Sequence, residues 1–331
     1  MSGHSSASPL PCGRGSVSWG RWPAIAVVGP TGSGKTELGL ALAEAFSGEI
    51  VNCDSIQVYR ALEIGAAKLP PTVRRGIPHH LLDIIDVDEE LTAGAYSRLA
   101  RKILVEIRDR GRLPIVVGGT GFYLRALFDG LSPAPARDEQ LRSRLRNIAA
   151  RRPGTLHHYL ERRDPSAAGR IHPNDHQKLI RAIEMMALAA RPASATQSLP
   201  RAPMEGFTVL KLGLAPERQR LYEKLDHRSA QMFELGLLME TERLLERGVS
   251  ASAKPLQSLG YKQAVQVLMG HMSREAAVRE CQTKTRQYAK RQLTWFRHEP
   301  EIEWLSGFGD ERWIQEKAIE RVREFSTKFL S

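Results

Sequence analysis

Eight consecutive residues, Gly29, Pro30, Thr31, Gly32, Ser33, Gly34, Lys35 and Thr36, fit the pattern G-x-x-x-x-G-K-[ST], whose chemistry is phosphate binding. Gly32 and Gly34 let the backbone wrap until successive N–H groups face an anion, and a helix opening near Gly34 adds its positive dipole end. Lys35 supplies a cation to the terminal phosphate, and Thr36 is placed to reach a Mg²⁺ shared with the phosphate oxygens. The plainer alternative is a glycine turn that only packs a helix on a strand. Such a loop selects a diphosphate or triphosphate but no reaction, since nucleotide-binding ATPases, GTPases, kinases and other transferases share it.

Asp54 closes the run EIVNCD at 49–54, and in a parallel sheet that position is the carboxyl edge beside the loop. It can serve as a metal-holding acid, as a base, or as the cap of the following turn. GGTGFY at 118–123 repeats the order strand, glycine turn, helix and puts Thr120 at the same edge, where the plainer reading is an N-cap. RIHPND at 170–175 has no metal-ligand set and reads as a turn with Asn174 or Asp175 capping the next helix. His79 and His80, beside a strand predicted at LLDII, read as structural.

The elements that must position these groups follow from periodicity. AIAVVG at 24–29, EIVNCD and PIVVGG at 114–119 are short apolar runs ending in turn or polar residues, as buried parallel strands do. TELGLALAEAF at 36–46 has helix formers with apolar spacing, and Tyr96, Leu99, Ala100, Ile103, Leu104 and Ile107 mark an amphipathic helix ended by Gly111. Alternating strands and helices imply an α/β fold with a parallel sheet. From Leu131 to about Pro203 only Arg-rich helical stretches broken by prolines appear, FTVLKLGL at 207–214 resumes a strand, and long helical segments run from about Glu217 to the end. The expected architecture is therefore a P-loop parallel-sheet core, 22–131 and 206–331, discontinuous around an inserted all-helical subdomain at 132–205. Residues 1–21, rich in Ser, Gly and Pro, read as a disordered extension.

The 331 residues include 48 Lys plus Arg against 37 Asp plus Glu, a formal charge of +11 that suits a polyanionic partner. The cations cluster: eleven against five carboxylates from Arg137 to Arg181, and five against none from Cys281 to His298. Hydrophobic residues at 42% exclude a wholly disordered chain, and no apolar run reaches the length of a membrane span. Cys12, Cys53 and Cys281 are odd in number and far apart, which fits reduced thiols rather than a disulfide framework. A cytoplasmic protein with no membrane partner is expected.

With the phosphate loop, DSIQVY at 54–59, GGTGFY, RIHPND and QLTWFR at 292–297 in that order, the chain closely resembles the bacterial tRNA dimethylallyltransferases from about Ala24 to Trp304. The resemblance implies transfer of the dimethylallyl group of dimethylallyl diphosphate to N6 of the adenosine 3′-adjacent to the anticodon, in tRNAs reading codons that start with U. It implies that residues from Thr31 to Thr36 line the donor's diphosphate, with Mg²⁺ as cofactor and Arg228 reaching the leaving group. Asp54 matches the family's general base, and Thr120 matches a tRNA-contacting threonine near the reacting base. Ser55, Ile56 and Gln57 beside Asp54, together with Arg142 and the run Gln177, Lys178, Leu179, Ile180 and Arg181, match positions that touch tRNA. The adenosine must be flipped out of the anticodon stem-loop to reach the cradle. The N-terminal extension departs from the family pattern, and the zinc-finger extension of eukaryotic relatives is lacking. A monomer is expected. From the residues alone the rivals are a P-loop nucleoside or nucleotide kinase, an RNA-stimulated ATPase and a binding-only module.

Overall fold

A computed structural model describes residues 21–329; the expected N-terminal extension, with Cys12, lies almost wholly outside them. In chain order the elements are β1 (Trp22–Val28), α1 (Lys35–Phe46), β2 (Gly48–Asn52), β3 (His79–His80), α2 (Ala93–Asp109), β4 (Leu113–Gly118) and α3 (Gly121–Phe128). Five helices follow, α4 (Glu139–Arg151), α5 (Thr155–Arg163), α6 (Pro165–Ala168), α7 (His176–Ala189) and α8 (Ala193–Gln197). The chain then returns through β5 (Phe207–Leu214), α9 (Arg218–Glu234), α10 (Leu237–Glu246), α11 (Tyr261–Leu268), α12 (Arg274–Arg297), β6 (Ile302–Leu305) and α13 (Arg312–Thr327).

All six strands are parallel in the order β3-β2-β4-β1-β5-β6. Strands buried on both faces carry no polar alternation, which is why β2 and β4 are buried at every position and β1 at all but its first. One layer of the core joins Ile25, Val27, Ile115 and Leu212 of the sheet to Leu38 and Leu42 of α1 and to Ile314, Val322 and Phe325 of α13. Helix α2 buries Tyr96, Ala100, Leu104 and Ile107 at spacings of three and four, and full burial of Leu104 and Ile107 contributes about 1.5–3 kcal/mol each. The Thr92 hydroxyl caps α2 by accepting from the Ala95 amide, and Gly111 at φ +70° follows its C-terminus.

Two expectations need correction. LLDII is not a strand: Leu81 and Asp83 take positive φ, and only His79 and His80 ahead of them pair with β2. The His80 ring instead meets Glu49 at 2.7 Å. The long helical segments expected from Glu217 to the end are joined by a strand not expected there, β6, which pairs with β5 through Ile302–Leu305.

The described residues divide into two compact units, one ending at Leu127 and resuming at Met204, the other spanning Phe128–Pro203. The second is entirely helical and has its own core, in which Leu145, Leu156, Leu160, Leu179, Ile180 and Ile183 meet. At its centre Glu184, 0% exposed, accepts hydrogen bonds from the Asp138 amide at 2.8 Å, Arg181 Nη1 at 2.6 Å and Arg142 Nη1 at 3.2 Å. A buried carboxylate held this way becomes costly to both arginines when removed. Glu184→Ala is expected to destabilise the unit by about 3 kcal/mol. The check is amide hydrogen exchange, with protection lost in α4 and α7 and kept in α1.

Candidate active site

The sheet order decides what the site contains. Val28 of β1 lies beside Gly118 of β4, and Asn52 of β2 beside Val117 of β4. The phosphate loop, the GGTG turn and Asp54 therefore leave three adjacent strand ends at the carboxyl edge, where open parallel sheets bind ligands.

The loop turns into α1 at Gly34, which sits at φ +83° with the neighbouring 307–310 segment pressed against it. A Cβ there would lie 2.7 Å from the Gly309 amide nitrogen, and that amide donates to the Ser33 carbonyl at 2.9 Å. Lys35 folds back to donate from Nζ to the Pro30 carbonyl at 2.7 Å. Burial, only partly offset by the charge of Asp54, lowers the Lys35 ammonium to about 8. Arg228 of α9 reaches over and donates from Nη2 to the Thr31 hydroxyl at 2.6 Å. Burial lowers its pKa too, and its Nε is buried with no hydrogen-bond partner, as is the Ser33 hydroxyl. Among the described residues neither Lys35 nor Arg228 makes an ion pair. Two desolvated cations and unsatisfied donors in one cradle suit it to a bound anion.

Across the edge, Asn52 is anchored by its amide to the Leu81 carbonyl at 3.0 Å and accepts from the Asp54 amide at 3.2 Å. Asp54 then caps its own turn: Oδ1 accepts from the Ile56 amide at 2.8 Å and the Gln57 amide at 3.4 Å. Its Oδ2 makes no hydrogen bond among the described residues. The carboxylate is thus oriented by one oxygen and has the other unspent, so capping its turn does not use up the group. Thr120 accepts from the Ser55 amide at 3.0 Å and reaches the Ser55 hydroxyl at 3.4 Å, while its carbonyl accepts from the first amides of α3. The Gln57 amide nitrogen is spent on the carbonyls of Ala66 and Ala67, which leaves its oxygen to meet a ligand.

Not every expected RNA-facing residue faces outward. Leu179 and Ile180 are 1% and 4% exposed and belong to the core of the helical unit, so their side chains cannot touch tRNA. Arg142 and Arg181 are committed to Glu184, because α7 turns that buried carboxylate toward them. Gln177 and Lys178 stay exposed at the start of α7, beside Asp175, whose carboxylate caps the helix by accepting from the Lys178 amide at 3.1 Å. Arg144, Arg151, Arg152, Arg162, Arg163 and Arg170 are exposed and make no ion pair among the described residues.

Sequence reasoning also missed the other face of α12. Lys290, Arg291, Thr294, Trp295 and His298 line an open groove of about 620 Å³ together with Arg125 of α3. Arg125 stacks over the Trp295 ring at 4.5 Å and pairs with Glu299. The available signal was the charge-free-of-carboxylate run from Cys281 to His298 with an aromatic at helical spacing. Tyr288, also on α12, has its phenol pushed up by burial and by the charge of Asp54.

Thr36 is half-buried at the mouth of the loop. Its hydroxyl and the Asp54 carboxylate are oxygen donors, and among the described residues no cluster of three or more His, Cys, Asp or Glu forms a ready-made cage. Few protein oxygens plus substrate phosphates is the coordination that Mg²⁺ favours, so the donor set fits. No helix among the described residues is long and apolar enough to cross a membrane. Cys53 and Cys281 are free and buried, and burial pushes the Cys53 thiol up to about 12.

The IPP transferase family model matches residues 57–299, and the isopentenyl transferase model matches 23–83. A tRNA dimethylallyltransferase of Solibacter usitatus is 54% identical over 303 residues, covering 92% of this chain and 99% of its own length. One from Koribacter versatilis is 51% identical over 298 residues, covering 90% and 97%. The crystal structure of a full-length tRNA isopentenylpyrophosphate transferase from Bacillus halodurans superposes with a TM-score of 0.68 at 35% identity, over 94% of this chain and 97% of that one. A eukaryotic dimethylallyltransferase acting on tRNA gives a TM-score of 0.78 at 29% identity, over 93% and 80%.

Proposed function

The chain belongs to the IPP transferase family, whose chemistry is prenyl transfer to tRNA, and from that premise we propose that it carries dimethylallyl from dimethylallyl diphosphate to N6 of the adenosine 3′-adjacent to the anticodon. The observation that carries this reading is the presence in one site of two desolvated cations that make no ion pair, Lys35 and Arg228, and of a carboxylate that keeps one oxygen free, Asp54. A kinase cradle would account for the cations. The basic surface of the helical unit and, by itself, the carboxylate-free face of α12 each suit a polyanion such as RNA as well.

In the proposed step the allylic carbon–oxygen bond breaks, the diphosphate leaves with the electron pair, N6 forms the new bond, and its proton passes to the Asp54 carboxylate. N6 is a poor nucleophile because its lone pair is delocalised into the ring, so proton removal must accompany attack. Lys35, the Arg228 Nε–H and the loop amides meet charge that grows on the leaving group. Mg²⁺ held through Thr36 supplies further neutralisation of the diphosphate when bound. Thr120, Ser55 and the free Gln57 oxygen lie where the flipped base would be received. The exposed arginines of the helical unit, with Gln177 and Lys178, offer phosphate contacts that position the stem-loop without reading its sequence.

The test is incubation with Mg²⁺, labelled dimethylallyl diphosphate and unmodified tRNA bearing adenosine just 3′ of the anticodon, with ATP in parallel. Label on that adenosine, indifferent to ATP, is the expected result, and ATP turnover stimulated by RNA without label would replace this reading by an ATPase. The same assay has a pH signature. Below about pH 8 the Lys35 ammonium of the free protein is already charged, whereas above it donor binding must recruit a proton. Donor kcat/KM is therefore expected to fall above pH 8 by up to about tenfold per unit, with proton uptake on binding seen by calorimetry in buffers of different ionisation enthalpy.

A further inference from the structure

Helix α12 buries a stripe of Ala277, Cys281, Thr285, Ala289, Gln292 and Phe296, at spacings of three and four. A glutamine in such a stripe must find partners for both ends of its amide. Gln292, 6% exposed, finds them on two different catalytic loops. Its Oε1 accepts from the Thr31 amide of the phosphate loop at 2.8 Å, and its Nε2 donates to the Gly119 carbonyl of the GGTG turn at 2.8 Å. Gly119 has no side chain because there is no room for one: a Cβ would lie 2.3 Å from Nε2. Two positions on, a Cβ on Gly121 would lie 2.1 Å from Trp295 Nε1, so α12 is seated against this turn along a full helical turn.

The amide sits in the middle of a longer chain of contacts. Thr31 accepts from Arg228, and Thr120, next to Gly119, accepts from the Ser55 amide beside Asp54. A continuous path of hydrogen bonds and single peptide steps therefore runs from the leaving-group cation to the base. The Thr31 amide is spent on Gln292, so this part of the loop is shaped by α12 and not by the anion.

Resting on the transferase reading above, we infer that Gln292 is a positioning residue that sets the spacing between the donor's cradle and the loop receiving the acceptor. Displacement at carbon requires nucleophile, carbon and leaving oxygen to be in line, and a misplacement of about 1 Å costs on the order of 10²-fold. Gln292 touches neither substrate in this scheme. Its loss lowers kcat and leaves each substrate's own contacts in place.

Two variants test this. Gln292→Met keeps volume and helix propensity but drops both hydrogen bonds. Gln292→Glu keeps the acceptor for Thr31 and faces a carboxylate oxygen toward the Gly119 carbonyl until it is protonated. In its acid form it again has one acceptor and one donor, and burial raises the pH at which that form appears. The expected result is kcat down about 100-fold in Gln292→Met with both KM values within about threefold of wild type. For Gln292→Glu the ratio of its kcat to wild type rises as pH is lowered from 8 to 6. The ratio is the readout because any pH dependence that the two enzymes share cancels in it. If Gln292→Met fails to fold, the pH dependence of the glutamate variant decides alone. A kcat within threefold of wild type in Gln292→Met, or in Gln292→Glu at pH 8, a loss confined to donor KM, or a ratio independent of pH overturns the inference. Wild-type protein that labels no tRNA would instead overturn the transferase reading, and with it the role assigned here.

Discussion

Asp54→Asn is expected to slow transfer to tRNA by about 10³-fold while donor affinity stays the same or improves. The substitution is nearly isosteric, and an asparagine Oδ1 can still accept from the amides of Ile56 and Gln57, so the turn that receives the base is kept. What disappears is the oxygen able to take the N6 proton, and general-base catalysis is worth about 10²–10⁴. The donor carries negative charge into a cradle that Asp54 also faces, since Asp54 interacts with both Lys35 and Arg228. Removing one carboxylate there reduces repulsion with the diphosphate. Single-turnover transfer with prebound donor separates the two effects, and a rate within tenfold of wild type would assign the base elsewhere.

Lys35→Met is expected to do the opposite to stability and to binding. Donor kcat/KM falls by about 10³-fold, because a desolvated ammonium aimed at a leaving diphosphate acts most strongly in the transition state. The ligand-free protein melts at a higher temperature, by roughly a few degrees. In that state Lys35 is held against burial and against the neighbouring guanidinium of Arg228, with a backbone carbonyl as its hydrogen-bond partner. A thioether there is cheaper to bury than a cation that makes no ion pair. Thermal melts with and without dimethylallyl diphosphate check both halves: the variant gains in the first and loses the donor-induced rise in the second. A variant that melts lower without ligand would mean that the cation is already satisfied in the free protein.

The strands and helices with strong periodicity were legible from the sequence because burial imposed it. β1, β2, β4 and β5 are covered on both faces and read as apolar runs, and α2 shows its buried face at every third or fourth residue. β3 and β6 escaped this logic. They lie at the two edges of the sheet, pair on one side and span two and four residues, so no pattern accumulates. LLDII looked like a strand by composition, yet positive φ at Leu81 and Asp83 turns the chain away to meet Asn52 and Lys68.

By itself, the sequence determined the phosphate loop, the acid at the end of the second strand, the threonine after the glycine pair and the basic helical insertion. Each is a local matter of residue type, spacing and the strand–turn–helix rule. Only the tertiary structure decided which side chains serve which end. Glu184 draws Arg142 and Arg181 inward, the core takes Leu179 and Ile180, and Gln292 is placed between Thr31 and Gly119. Those outcomes depend on buried polar groups finding partners far along the chain, and a buried donor accepts whichever acceptor the packing brings to it, which no local spacing encodes.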